Sequence, residues 1–234
     1  MKKITKTRFA LIISMFFMIA VISCEKEEPA VEQDDLSAEA DQELSGTLIR
    51  VTGHTSGGGT TKTTLEGLET HWIADTDKVG IYSPEALPPA KGETGVKNAE
   101  FTAQTSGKSS EFEGNIYWGF GLHDFYAYYP YDGGNDSEPA TAVSISLASE
   151  QTQSGGDDSD HIGALDFLVA TPVTGVSPPV EPDKVTGVNF RYNHVFTLLE
   201  FKITGTGTLT KVKLSGPGTL AFGDGTIDIT QGTP

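Results

Sequence analysis

Hydrophobic and polar positions alternate in short bursts along most of the chain, and one unbroken apolar run stands apart at its start. Residues 9–22 are almost wholly apolar and follow a basic opening, Lys2, Lys3, Lys6 and Arg8. A secretory leader carries an apolar segment of roughly 7–15 residues, where a bilayer-spanning helix needs about 17–25. The run therefore reads as a cleaved signal, residues 1–23. Residues 24–46 are polar and acidic, with Glu25, Glu27, Glu28, Glu32, Asp34, Asp35, Glu39, Asp41 and Glu43. They hold too few apolar side chains to build a core and read as a disordered, solvated tether.

From residue 47 onward the pattern changes to period two, the spacing of a strand with one face in a core. Residues 47–52 are the first such stretch, and 78–83, 99–103 and 111–113 follow, the last two joined by a Ser/Gly turn. Residues 142–147, 164–170 and 190–203 also read as strand, the last as a strand pair, and 209–215, 220–222 and 227–229 finish the chain as short strands. Between them, 84–95, 149–160 and 172–183 are rich in Pro, Gly or acidic residues and read as surface loops. The densest apolar segment after the leader is 116–131, IYWGFGLHDFYAYYPY. As a strand it puts Phe125, Ala127, Tyr129 and Tyr131 on one face and Tyr126, Tyr128 and Pro130 on the other. Both faces are bulky, which predicts a central strand ended by a turn at 132–135. Many short strands with turn-rich connections predict an all-β fold, a single β-sandwich domain over residues 47–234. A chain of this size needs no disulfide to support its core.

Charge and cysteine usage add the compartment. The formal net charge is −16, and removing the basic leader makes the remainder more acidic still. Such a surface repels phosphate backbones, which argues against nucleic acid as a partner. Cys24 is the only cysteine, so the exported chain forms no internal disulfide. Val21-Ile22-Ser23-Cys24 resembles the bacterial lipobox, a pattern that implies lipidation of the Cys24 thiol and cleavage before it. Two or three acyl chains, at about 0.8 kcal/mol per buried CH₂, hold a protein on a membrane durably. The acidic cluster directly behind Cys24 is similar to the tag that sends some lipoproteins of Gram-negative anaerobes to the cell surface.

Candidate chemistry is sparse. The segment GHTSGGGTTKT imitates a phosphate loop, but Thr60 and Thr61 separate the last glycine from Lys62 and no helix pattern follows. Gly216 to Ala221 imitates a dinucleotide fingerprint between strands, with no helix to receive the phosphate. Asp157, Asp158, Asp160 and His161 suggest calcium by composition, yet lack EF-hand spacing. His54, His71, His123, His161 and His194 belong to no nucleophile elbow or zinc motif, and His123 and His194 read as structural. These readings predict no enzyme, no metal and no cofactor. Trp118, Tyr126 and Tyr128 read first as core, with an aromatic platform for sugar rings as the alternative, which would suit a surface glycan-binding lipoprotein of a nutrient-uptake system.

TTKTTLEGLETHW, DKVGIYS, NIYWG, HDFYAYYPY, IGALDFLVA and NFRYNHVFTLLEFKI occur in this order behind the lipobox. In this the chain resembles the fimbrillin family, the Mfa-like subunits of type V pili, over residues 44–231. The resemblance implies a transthyretin-like Greek-key β-sandwich, usually two per subunit, and a structural or adhesive role in fimbriae on the cell outer membrane, with a surface receptor on a host or another bacterium. The chain ends soon after the first sandwich, which suggests that the second domain is missing. The family also implies assembly by strand exchange, in which an Arg-specific protease removes the lipidated leader with the first strand and the vacated groove accepts a strand of the next subunit. The arginines are Arg8, Arg50 and Arg191. Arg8 leaves with the signal and Arg191 falls in a predicted core strand, so the resemblance points to Arg50. The alternative makes Arg50 an edge-strand residue of a protein that stays anchored.

Overall fold

The computed structural model describes residues 47–55, 65–66, 69–90, 95–152, 160–163, 165–180, 187–197, 199, 201–216 and 223–232. Its strands are β1 (Arg50–Thr55), β2 (Leu65–Glu66), β3 (Glu69–Thr70), β4 (Lys78–Ser83), β5 (Val96–Ala103) and β6 (Ser109–Glu113). They continue with β7 (His123–Tyr129), β8 (Val143–Leu147), β9 (Leu168–Ala170), β10 (Val173–Val176), β11 (Gly187–His194) and β12 (Gly223–Ile227). Helix among the described residues is limited to one α turn at Asp160–Gly163 and two 3₁₀ turns. The all-β expectation holds.

The main sheet runs β10-β7-β4-β5-β6-β1-β11-β9, and β9 also pairs with β7. That last pairing closes β7, β4, β5, β6, β1, β11 and β9 into a ring, so the sandwich has the character of a barrel. Every neighbouring pair in the ring is antiparallel except β1 and β11, which run parallel from Arg50↔Gly187 to Thr55↔Tyr192. A ring with an odd number of strands cannot alternate direction all the way round. One parallel seam is a geometric consequence of closure, and it falls at β1.

Alternation decides what fills the ring. Val51, Phe101, Phe112, Phe125, Tyr129, Phe190 and Tyr192 point inward from their strands and are buried in one cluster with Trp72, Ile49 and Ile116. Trp72 stands edge-on to Phe112, Tyr129 and Tyr192 at 5.1, 5.4 and 5.2 Å, a favoured aromatic geometry. Each such side chain contributes about 1.5–3 kcal/mol by leaving water.

β4 and β7 are buried on both faces, as the bulky aromatic block predicts. On their outer face Tyr82, Tyr128, Val143, Phe167, Val169 and Ile229 form a second cluster, to which the separate two-stranded antiparallel sheet of β8 and β12 contributes Val143. Gly80 makes this possible: a Cβ there would meet the Tyr128 ring and Asn98 Oδ1 at 2.3 Å. The Tyr128 hydroxyl donates to Asn98 Oδ1 at 2.8 Å, and Asn98 Nδ2 donates to the Asp132 carbonyl at 2.8 Å and Asp136 Oδ1 at 2.7 Å. Asn98 sits at φ 47°, a region that Asn tolerates better than most residues. The network fixes the turn after β7, which is a 3₁₀ turn at Gly133–Asn135.

Two expectations differ from the structure. The loop over 172–183 contains β10, which pairs with β7 from Val173↔Phe125 to Val176↔His123. Pro172 disguises it, since proline has no N–H for a ladder and is tolerated at an edge such as this one. Conversely, 199–203 and 209–215 alternate like strands but pair with no described strand. Leu199, Phe201, Ile203, Leu209, Val212 and Leu214 are exposed there. Period two reports a side-chain pattern, and a ladder also requires a partner.

Candidate functional site

Ahead of β1 the chain is held by a short piece of backbone rather than by a full strand. The Ile49 N–H donates to the Ile116 carbonyl and the Trp118 N–H to the Thr47 carbonyl, both at 2.9 Å. Leu48 faces Tyr117 in an antiparallel bridge. On its other edge Tyr117 exchanges hydrogen bonds of 2.8 and 2.9 Å with Leu87. Ile49 is 1 % exposed and belongs to the core inside the ring.

Arg50 is exposed at the start of β1, where this held segment ends. β1 itself lies between β6 and β11, so Arg50 belongs to an interior strand and not to a sheet edge. Removal of the chain up to Arg50 would leave β1 in place. It would uncover the Trp118 N–H, the Ile116 carbonyl and the space filled by Ile49, which is a strand-binding groove in miniature: backbone partners plus an apolar pocket at alternate positions. Cys24, the lipidation candidate, lies outside the described residues.

The aromatic platform divides. Trp118 and Tyr128 are buried within the two clusters, with no face left for a sugar ring. Tyr126 is half-buried and, with Tyr82, Pro84, Pro88, Pro89 and Pro139, lines an apolar cavity of about 610 Å³. Tyr128 is core because β7 is covered on both sides, and Trp118 because it packs inside the ring.

The histidines supply one arrangement that the sequence concealed. His194 Nδ1 donates to the Asp166 carboxylate at 2.9 and 3.0 Å, while its Nε2 faces the Thr70 hydroxyl at 3.4 Å. Carboxylate, imidazole and hydroxyl in that order imitate a hydrolase triad. Thr70 is 1 % exposed, so no substrate carbonyl reaches it. The trio instead ties β3, the approach to β9 and the end of β11 together. Burial pushes the Asp166 carboxyl above its usual range, against the pull of the imidazole. His123 is likewise internal: its Nε2 accepts from the Gly119 N–H at 2.9 Å, its Nδ1 donates to the Gly121 carbonyl at 3.1 Å, and burial lowers its pKa.

Among the described residues no group of His, Cys, Asp and Glu is placed to hold a metal ion. Asp157 and Asp158, like the GGGTTK segment, lie outside them. No described helix is long and apolar enough to cross a membrane.

No curated protein and no solved structure matches the chain. The fimbrillin-like family model matches residues 60–234, well over half of the sequence, and takes in every strand from β2 to β12 while leaving β1 and Arg50 outside. The all-β ring, its two aromatic clusters and this match along most of the sequence lead to one assignment: the chain belongs to the fimbrillin-like family.

Proposed function

We propose that this chain is the lipid-anchored precursor of a fimbrial subunit that joins its neighbours by strand exchange in fimbriae of type V. In this reading the signal over residues 1–23 is removed, Cys24 is acylated, and the acidic residues 24–46 tether the β-domain of residues 47–234 to the outer face of the outer membrane. A protease then cuts after Arg50, and a strand of another subunit takes the place of the segment that leaves.

The observation that carries the reading is the position of Ile49. Its side chain fills the core and its backbone completes the Ile116–Trp118 rung, one residue before the exposed Arg50. Cutting there exchanges a buried apolar plug for a vacancy with backbone donors and acceptors ready to pair. An unfilled vacancy is unfavourable, which gives the incoming strand its driving force. The exposed side chains of Leu199, Phe201, Ile203, Leu209, Val212 and Leu214 add apolar surface that a neighbour can cover.

The test compares fibres from the parent chain and from Arg50→Ala. The variant is expected to accumulate as an uncut, membrane-retained precursor and to be missing from fibres. Equal fibre yield from both would remove Arg50 from the scheme. In parallel, Cys24→Ala should abolish membrane retention, and unchanged fractionation would remove the lipid anchor.

A further inference from the structure

At the end of the domain where the chain enters, two large apolar side chains point into water. Phe120 is 60 % and Leu122 62 % exposed. They flank Gly121 in a turn whose form is fixed. The Gly119 N–H and the Gly121 carbonyl are both bound to the ring of His123, which is fully buried and packed against Trp118 and Phe125. Gly119 lies so close to the 84–86 turn that a Cβ would stand 2.2 Å from the Glu85 carbonyl oxygen, and Gly121 has φ +79°. The turn therefore directs its polar backbone inward and presents Phe120 and Leu122 outward.

Residues 115–122 carry no charge. Two carboxylates beside the turn are directed at backbone: Glu85 Oε2 accepts from the Asp124 N–H at 3.1 Å, and Asp124 Oδ1 from the Gly175 N–H at 2.8 Å. The Thr47 carbonyl accepts from the Trp118 N–H, so the connection from Cys24 reaches the domain two residues from Phe120. Even fully extended, that connection spans roughly 80 Å at about 3.5 Å per residue. A domain held on it meets the bilayer continually, and this end is the one nearest the point of attachment.

We propose that the Phe120–Leu122 turn is a bilayer-contacting tip, whose two apolar side chains enter the interfacial layer of the membrane that holds Cys24 and set the domain with its N-terminal end toward the lipid. The proposal rests on the lipid anchor described above. Two side chains on an acidic protein are too little to bind a membrane unaided. The contact therefore lasts only while the anchor holds the domain near, and cleavage after Arg50 ends both together.

The test uses the full lipidated chain in phosphatidylcholine vesicles. Acylation of Cys24 leaves an introduced cysteine as the single free thiol, so Leu122→Cys, and Ser137→Cys beyond the other end of β7, each take one polarity-sensitive dye. The expected result is a blue-shifted label at 122 that lipid-borne spin labels quench, with the label at 137 unshifted and unquenched. A chain that floats with the vesicles while the label at 122 stays water-like, or while both labels are quenched alike, overturns the tip and leaves the anchor standing. A parent chain that takes up dye at Cys24 and does not float overturns the anchor, and the tip with it.

Discussion

The backbone N–H of Ile49 donates to the carbonyl of Ile116 at 2.9 Å while the Ile49 side chain, 1 % exposed, sits in the core of the ring. The residue that follows is Arg50, at the surface. If the segment ending at Arg50 is removable, Ile49 matters before the cut and not after it. Ile49→Ala should destabilise the uncut chain by about 2–5 kcal/mol through lost burial and the cavity left behind. Urea denaturation of uncut and cut forms checks this. An equal loss in both forms would mean that Ile49 stays with the body of the subunit.

Tyr129 and Asp77 hold the interior of the ring in a different way. The Tyr129 hydroxyl donates to Asp77 Oδ1 at 2.9 Å, and Asp77 Oδ2 accepts from the Ile73 N–H at 2.7 Å. Burial and the neighbouring carboxylate push the Tyr129 pKa upward, so the hydroxyl stays a donor throughout the physiological range. Tyr129→Phe keeps the ring against Trp72 and removes one charge-assisted bond to a buried carboxylate. The expected loss is about 1.5–3 kcal/mol with an unchanged denaturant slope.

The Asp166–His194 pair predicts a pH-dependent difference. The buried Asp166 carboxyl has its pKa raised above the ordinary 3.8, so the folded state binds that proton more tightly than the unfolded chain does. Taken alone, the group favours folding in acid, and this contribution is lost as pH rises through the folded pKa. His194→Ala takes away the imidazole donor and leaves the buried Asp166 carboxylate without it. At neutral pH this should cost about 3 kcal/mol. The gap between parent and variant should narrow in acid, where Asp166 is protonated and needs no counter-group. A gap that is constant with pH would show that His194 acts through packing alone.

Local pattern revealed β4, β6, β7 and β8 with small boundary errors, because each buries alternate residues against a core and period two survives in the sequence. The central position of β7 was legible too, from tyrosines on both of its faces. Closure was not: the β7–β9 pairing rests on Tyr128↔Val169 and Tyr129↔Leu168, a contact between distant segments that no local period encodes. The Asp166–His194 bond joins residues 28 apart, at the approach to one strand and the end of another, so neither position stands out alone. Arg50 stands out only through the family resemblance, as the arginine left once Arg8 and Arg191 are set aside, and its place between β6 and β11 has no sequence signal. The 199–215 stretch misled because its apolar alternation is real while its partner is not among the described strands.

His123 provides a second titration of opposite sign. Its ring is fully buried, and Nε2 accepts the Gly119 N–H; protonation would set a donor against a donor. Burial lowers its pKa below the ordinary 6.5, so under mild acid the unfolded chain binds this proton and the folded chain resists it. Stability should therefore fall as pH drops below about 6.5, by up to roughly 1.4 kcal/mol per pH unit, until the folded pKa is reached. His123→Phe removes this slope, and it costs about 1–3 kcal/mol at neutral pH because the Gly119 N–H loses its acceptor. Denaturation of both chains at pH 7.5 and pH 5 separates the two effects. The parent should lose more stability than the variant between those values, and a difference that does not change would mean that the imidazole beneath the Phe120–Leu122 turn takes up its proton as readily in the folded chain as in the unfolded one.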